Sequence, residues 1–197
     1  KIIFNPNNDN LDDLCEKVNT NIVINCIGAI KPTITEKKES INNAISINSF
    51  FPLKISKKSA DLSFNYIQIG TDCVFSGLEG GYIETSTTDA TDVYGKTKIV
   101  GEISSKNKTL LRSSIVGPES GSGMSLLNWF LKTEEPEVNG FTDHEWNGVT
   151  TLNFAKIVLG ITKNEQTGIK LQHLVPSDKA VSYTHLRAHE TSRHLVC

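Results

Sequence analysis

The chain has 197 residues, 38% of them hydrophobic, with 20 Lys and Arg against 22 Asp and Glu and a formal net charge of −2. That length can bury a sizeable core, and the composition is that of an ordinary globular protein. The absence of a basic stripe argues against nucleic-acid or membrane-surface binding, and no apolar run approaches the roughly 18 residues of a transmembrane helix.

Ile2-Ile3-Phe4 reads as a strand, and Asp12 and Asp13 as the solvated start of a helix rather than an acid/base pair. Asn21 to Ile27 is a continuous apolar run of the kind buried in a parallel sheet. After a polar loop containing Lys31-Pro32, a helical pattern runs from about Glu36 to Leu62, broken at Pro52. Phe64 to Gly70 is the next strand. Asp92 to Asn107 is the next helix, with Asp92 placed to cap its free N–H groups, and Thr109 to Val116 is a third strand. Pro118 to Gly123 is turn-rich, Met124 to Lys132 is an amphipathic helix, and Leu152 to Ile161 a further helix. Strands alternating with helices predict an α/β fold with a doubly wound, Rossmann-type parallel sheet. The four cysteines (Cys15, Cys26, Cys73, Cys197) show no C-x-x-C spacing and no signal peptide is recognisable, so a reduced, cytoplasmic protein is expected.

The chemistry is concentrated between Ile69 and Glu102. Thr71 closes an apolar, β-prone run, at the strand edge where open α/β sheets place their ligands. Gly77 and Gly80-Gly81 give a turn-rich loop after it. Tyr94 and Lys98 follow at i and i+4 and share one face of the expected helix. An ammonium beside a phenol can bring its pKa down from about 10 towards neutrality. Carbonyl reduction needs such a group: hydride arrives from a cofactor, and the proton from a positioned acid. The plain alternative is a surface helix whose tyrosine packs and whose lysine is solvated. The strand-end hydroxyl, the loop and the Tyr/Lys helix together favour the chemical reading.

The run Gly70-Thr71-Asp72-Cys73-Val74-Phe75-Ser76-Gly77, then Tyr82-Ile83-Glu84, then Tyr94-Gly95-Lys96-Thr97-Lys98-Ile99-Val100-Gly101-Glu102 resembles the extended short-chain dehydrogenase/reductases. Within them it is most similar to the dTDP-4-dehydrorhamnose reductase branch. Val23 to Ala29 and Leu111 to Gly117 are similar to flanking strands of that family. The resemblance implies NAD(P)H-dependent reduction, with NADPH or NADH as cofactor, of the 4-keto group of a nucleotide-activated deoxysugar for surface polysaccharide. It makes Tyr94 the general acid, Thr71 a hydrogen-bond donor to the same ketone oxygen, and Lys98 both the group that lowers the Tyr94 pKa and a ligand of the nicotinamide ribose. Cys26, Ile27, Gly28 and Ala29 would line the cofactor, and Asp72 and Cys73 would face the sugar. Thr71 could instead only cap its strand end, Gly28 only make a turn, and Asp72 only cap. Asn48 matches an asparagine common in the fold and carries little weight among many. Glu84 and Glu102 read as structural, and no metal site is expected.

Alternatives are an extended-family epimerase or dehydratase and a non-catalytic sugar-nucleotide-binding or regulatory subunit. No G-x-x-G-x-x-G precedes Asn25, so the stretch reads as lacking the first βαβ portion of the family and as inactive alone. Residues 1–120 would form a partial dinucleotide-binding domain and 121–180 a partial substrate lobe. Residues 181–197 hold three of the five His, and Ser182 to Thr191 resembles a translated sequencing adapter, so this tail reads as non-native rather than as a metal site at His185, His189 and His194. The expected partner is the nucleotide-sugar substrate, with a homodimer left open.

Overall fold

The structure, a computed structural model, describes residues 3–18, 20–103, 105–118, 125–134, 137–139, 145–164, 170–176, 180–181 and 194–196. In chain order the elements are α1 (Leu11–Lys17), β1 (Ile22–Asn25), α2 (Lys38–Ile45), a π-helical turn (Ser46–Phe50), α3 (Phe51–Leu62), β2 (Asn65–Ile69), α4 (Val93–Val100) and β3 (Lys108–Arg112). Then come β4 (Ile115–Val116), α5 (Leu126–Lys132), β5 (Glu137–Asn139), β6 (Glu145–Trp146), β7 (Val149–Thr150), α6 (Thr151–Lys163), β8 (Leu171–His173), β9 (Ala180–Val181) and β10 (His194–Val196). They fall into two compact units, the first comprising Lys1–Ser113 and Gly160–His173, the second Ser114–Leu159 and Leu174–Cys197.

The first unit is built on a four-stranded sheet of order β1-β2-β3-β8, parallel throughout. Its middle strands are buried along their length: Tyr66, Ile67 and Gln68 in β2, and every residue of β3. Phe51 and Ile55 of α3 pack with Phe64 and Tyr66, and Phe4, Leu11 and Val23 close over them. Phe4 stacks on Phe51 from irregular chain, so the expected strand at Ile2-Ile3-Phe4 is absent at its two described residues. The 36–62 helix is interrupted as expected, but by the π turn just ahead of Pro52, which itself sits in the first turn of α3 where its missing N–H costs nothing. α4 is shorter than the Asp92–Asn107 helix read from sequence and ends at Gly101. A Cβ there would lie 2.1 Å from Asn48 O, so the helix end meets the π turn at backbone distance.

Polar side chains buried in such a sheet need partners. Asn25 Nδ2 donates to Tyr66 Oη at 3.2 Å and to Gln68 Oε1 at 3.1 Å. Lys108, almost wholly buried, donates to Gly101 O (2.8 Å) and Ile103 O (3.1 Å) and lies over the Tyr66 ring. It thereby satisfies carbonyls left over at the C-terminus of α4, where a cation is favoured. Burial brings its pKa down to about 8 from 10.5, against the opposing Glu102 charge. The unfolded chain therefore binds more protons than the folded one between pH 8 and 10.5, and this lysine's contribution to stability rises with pH across that window. Between pH 8 and 10 the unfolding free energy should gain on the order of 2 kcal/mol from Lys108, and Lys108→Met should lose that slope. Denaturant titrations of both proteins at the two pH values check this; equal slopes would refute it.

In the second unit β4 pairs with β7, and Trp146 Nε1 donates to Ser114 Oγ at 2.7 Å. A Cβ on Gly148 would lie 2.4 Å from Ser114 O, so the β6–β7 turn has no room for a side chain. Ser125 caps α5, and Phe130 packs with Val138. β9 pairs with β6, and β10 with β5. Most of the 181–197 stretch, including His185 and His189, lies outside the described residues. Among the described residues no helix is long and apolar enough to cross a membrane, and no group of three His, Cys, Asp or Glu is placed to hold a metal.

Candidate active site

β1 and β2 run side by side and parallel, which sets their C-terminal ends together. Cys26 to Ala29 leaves one end and Gly70-Thr71 the other, as the sheet rule for ligand sites requires. Gly70 is tightly enclosed: a Cβ would meet Leu110 Cδ1 at 3.0 Å and Leu111 O at 3.1 Å, and would fit only if these neighbours gave way by a few tenths of an ångström. Thr71, buried, begins a short 3₁₀ turn (Asp72–Val74), and its Oγ1 accepts from Cys73 N at 3.2 Å. The capping role weighed for Thr71 is thus present. Asp72 and Cys73 are exposed beside it, and Asp72 Oδ1 accepts from the Thr71 hydroxyl at 3.4 Å and from Cys73 Sγ at 3.8 Å.

Asp92 caps α4 as expected, its Oδ1 accepting from Gly95 N at 2.9 Å and its Oδ2 from Lys31 Nζ at 2.8 Å. The glycine of Tyr94-Gly95 has a steric cause: a Cβ would lie 2.5 Å from Cys73 O and 2.4 Å from Ala90 Cβ. Only a glycine lets the first turn of α4 press against the Thr71–Cys73 turn, and that contact carries Tyr94 to Thr71. Burial pushes the Tyr94 phenol up to about 12; the nearby Thr71 side chain pulls the other way, while Cys73, Asp72 and Asp92 add to the rise.

This corrects the expected near-neutral phenol. Lys98 is 8% exposed, and its Nζ donates to Ile69 O at 3.1 Å, at the end of β2. Its own pKa is lowered by burial, against the Glu102 and Cys73 charges. Desolvation is the largest influence on the phenol, and the ammonium is aimed at a strand carbonyl. Tyr94 therefore keeps its proton throughout the neutral range.

Lys98 also reaches the β1 loop. A Cβ on Gly28 would stand 4.0 Å from Lys98 Nζ and 3.7 Å from Asn48 Oδ1, so the open face of Gly28 borders the amine. Ala29 is buried, while Cys26, Ile27 and Gly28 are exposed. Partial desolvation of its sulfur, on a residue otherwise exposed, raises the Cys26 thiol pKa. Sequence reading gave little weight to Asn48, yet its amide binds both backbone groups of Ala29 and the Thr97 hydroxyl. It gave Thr97 and Lys31 no role: the Asp92 cap was legible, but the π turn that brings Asn48 to Thr97 and the reach of Lys31 to Asp92 leave no mark in local composition. An apolar cavity of about 720 Å³ flanks β1. It is lined mainly by side chains such as Phe4, Leu14, Val23, Ile55 and Phe64, and Thr71, Tyr94 and Lys98 are not among them.

The remaining motif residues brace this frame. Phe75 stacks on Tyr82 with ring centroids 4.3 Å apart and meets the edge of His173, and Arg112 lies over the Phe75 ring. Glu84 Oε1 accepts from His173 N at 2.8 Å, and Glu102 pairs with Arg112.

The model of the family described as the RmlD substrate binding domain matches residues 5–189. The chain belongs to that family. A spore coat polysaccharide biosynthesis protein, SpsK, of Bacillus subtilis (strain 168) is 26% identical over 143 residues, covering 70% of this chain and 50% of the relative. A crystal structure of a dTDP-4-dehydrorhamnose reductase from Clostridium acetobutylicum matches with a TM-score of 0.74 at 21% identity, over 89% of this chain and 63% of that one. The Bacillus anthracis dTDP-4-dehydrorhamnose reductase, solved in complex with NADP, gives a TM-score of 0.78 at 15% identity, over 93% and 67%. The RmlD-family chain described here thus has the Rossmann-type α/β fold of these proteins and spans about half the length of the curated relative it matches.

Proposed function

We propose that the chain carries the catalytic part of an NAD(P)H-dependent reductase acting on the 4-keto group of a nucleotide-activated deoxysugar, of the dTDP-4-dehydrorhamnose reductase kind, in surface polysaccharide synthesis. The observation that carries the proposal is the convergence of Thr71, Tyr94 and Lys98 at the C-terminal ends of β1 and β2. The donor set fits the nicotinamide end of the cofactor. Among the described residues the buried Lys98 ammonium spends one of its three donors, on Ile69 O, and it borders the open face of Gly28. Two N–H groups remain for the hydroxyls of a ribose, and Cys26, Ile27, Gly28 and Ala29 would line it.

A bound NADPH or NADH supplies the hydride. Thr71 turns its single hydroxyl proton from Asp72 Oδ1 to the ketone oxygen and fixes its approach. Tyr94 delivers its proton to that oxygen as negative charge gathers there. An alkoxide is a stronger base than a phenolate even when the phenol has been raised to about 12, so the transfer runs downhill. Asp72 and Cys73, exposed beside Thr71, face the sugar. Residues 1–120 serve the cofactor and 121–180 the substrate, with 181–197 foreign to both, and the activity belongs to the cytoplasm.

Stoichiometry separates this reading from an epimerase or dehydratase. The full-length protein, given NADPH or NADH and a dTDP-4-keto-6-deoxysugar, should oxidise one nicotinamide for each sugar reduced. Conversion of the sugar with no net loss of reduced cofactor would replace the proposal with the epimerase reading, and binding without conversion with the regulatory one.

A further inference from the structure

A buried, directional hydrogen-bond chain joins the Cys26–Ala29 loop to the catalytic helix. Ala29 N–H donates to Asn48 Oδ1 at 2.9 Å, and Asn48 Nδ2 donates back to Ala29 O at 3.0 Å and onward to Thr97 Oγ1 at 3.1 Å. The Thr97 hydroxyl donates to Tyr94 O at 2.9 Å. From the next residue of the π turn, Ser49 Oγ donates to Thr97 O at 2.8 Å. Each step fixes the one after it. An amide N–H can only donate, so Oδ1 of Asn48 must face Ala29; its two N–H groups then point to Ala29 O and Thr97, and the threonine's single proton is left for Tyr94 O. The wide π turn lets consecutive residues, Asn48 and Ser49, both reach one point on α4.

We infer that Thr97 is a positioning residue whose hydroxyl sets the separation between the Cys26–Ala29 loop and the Tyr94/Lys98 face. Thr97 is 6% exposed, and its hydroxyl is taken up by Asn48 and Tyr94, so it acts through those groups and not on substrate. The catalytic meaning of this clamp rests on the reductase reading; the clamp itself rests on geometry alone. The bland account is a helix threonine bonding back to the carbonyl three residues earlier, which would leave the loop untouched.

Two readouts on the full-length protein separate these accounts: amide hydrogen exchange at Ala29, and kcat and KM measured apart. Thr97→Val keeps the shape and removes the hydroxyl, while Thr97→Ser keeps the hydroxyl. In Thr97→Val, Ala29 should exchange about five- to tenfold faster, the effect of losing one net hydrogen bond from the chain. Its kcat should fall about 10- to 100-fold with both KM values within about threefold, as expected when reacting groups are displaced and not lost. Thr97→Ser should restore both quantities to within about threefold. Should Thr97→Val fail to fold, Thr97→Ala removes the same hydroxyl in a good helix former and carries the same expectations. Unchanged Ala29 exchange and kcat on loss of the hydroxyl would overturn the inference, as would a Thr97→Ser protein as impaired as Thr97→Val. A native protein that turns nothing over, while Ala29 still responds to Thr97→Val, would sink the reductase reading and leave the clamp standing.

Discussion

Tyr94→Phe should lower turnover of the full-length protein by about 10²- to 10⁴-fold, the usual contribution of a general acid. The phenylalanine keeps the ring in place against the Thr71–Cys73 turn and removes only the hydroxyl. Gly95 and the Asp92 cap, which set the start of α4, are untouched. Folding should therefore be preserved, and the loss should appear in kcat with KM nearly constant, the signature of an interaction made at the transition state. Steady-state kinetics of the two proteins check this, with thermal unfolding as the control for structure. Turnover within about twofold of native would remove Tyr94 from the acid role, since the phenol is the one group there that this substitution deletes.

Glu102→Leu should destabilise the protein by about 3–5 kcal/mol, the range for removing one partner of a buried ion pair. Arg112 Nη2 and Glu102 Oε2 lie 2.6 Å apart with side chains only 7% and 9% exposed, and Arg112 Nε reaches both carboxylate oxygens at 3.2 Å. Without the carboxylate the guanidinium stays buried with the Phe75 ring and His173 Nε2, at 3.3 Å from Nη1, neither of which can neutralise it. The damage should spread to the Phe75–Tyr82 stack, which rests on that guanidinium. Denaturant titration measures the loss, and the double variant Glu102→Leu/Arg112→Met should recover part of it because no charge is then left uncompensated. A single-variant loss under about 1 kcal/mol would show that water reaches Arg112 and that the pair is a surface contact.

The sheet was legible because its strands are continuous apolar runs, and such runs are buried on both faces in parallel sheets. Asn65–Ile69 falls within a residue of the expected run at both ends, Ile22–Asn25 stops two residues short of Ile27, and the expected Thr109–Val116 strand ends at Arg112, with Ile115–Val116 a separate strand. β8 was missed: Leu171-Gln172-His173 is three residues of mixed polarity, held in place by pairing with β3 and not by its own pattern. α4 was overextended because helical propensity continues past Val100, whereas the end is imposed by the approach of Gly101 to Asn48 O. For the site, the Thr71, Tyr94 and Lys98 positions follow from a strand end and an i, i+4 pair. What holds them does not. Gly95, Asn48 and Thr97 matter through contacts between segments distant in the chain, and a single sequence carries no record of those distances. The phenol's pKa failed for a related reason: spacing puts Tyr94 and Lys98 on one helix face but says nothing of where the ammonium points or how deeply the ring is buried.

The central claim is that the convergence of Thr71, Tyr94 and Lys98 serves hydride reduction of a sugar ketone. Its most direct test is to supply the full-length protein with reduced nicotinamide deuterated at the transferred position, together with a dTDP-4-keto-6-deoxysugar, and to read the product by mass spectrometry. One deuterium at C4 of the sugar for each molecule reduced is the predicted result, with the yield collapsing in Tyr94→Phe. A sugar product that carries no deuterium, while the cofactor keeps its label, would contradict it.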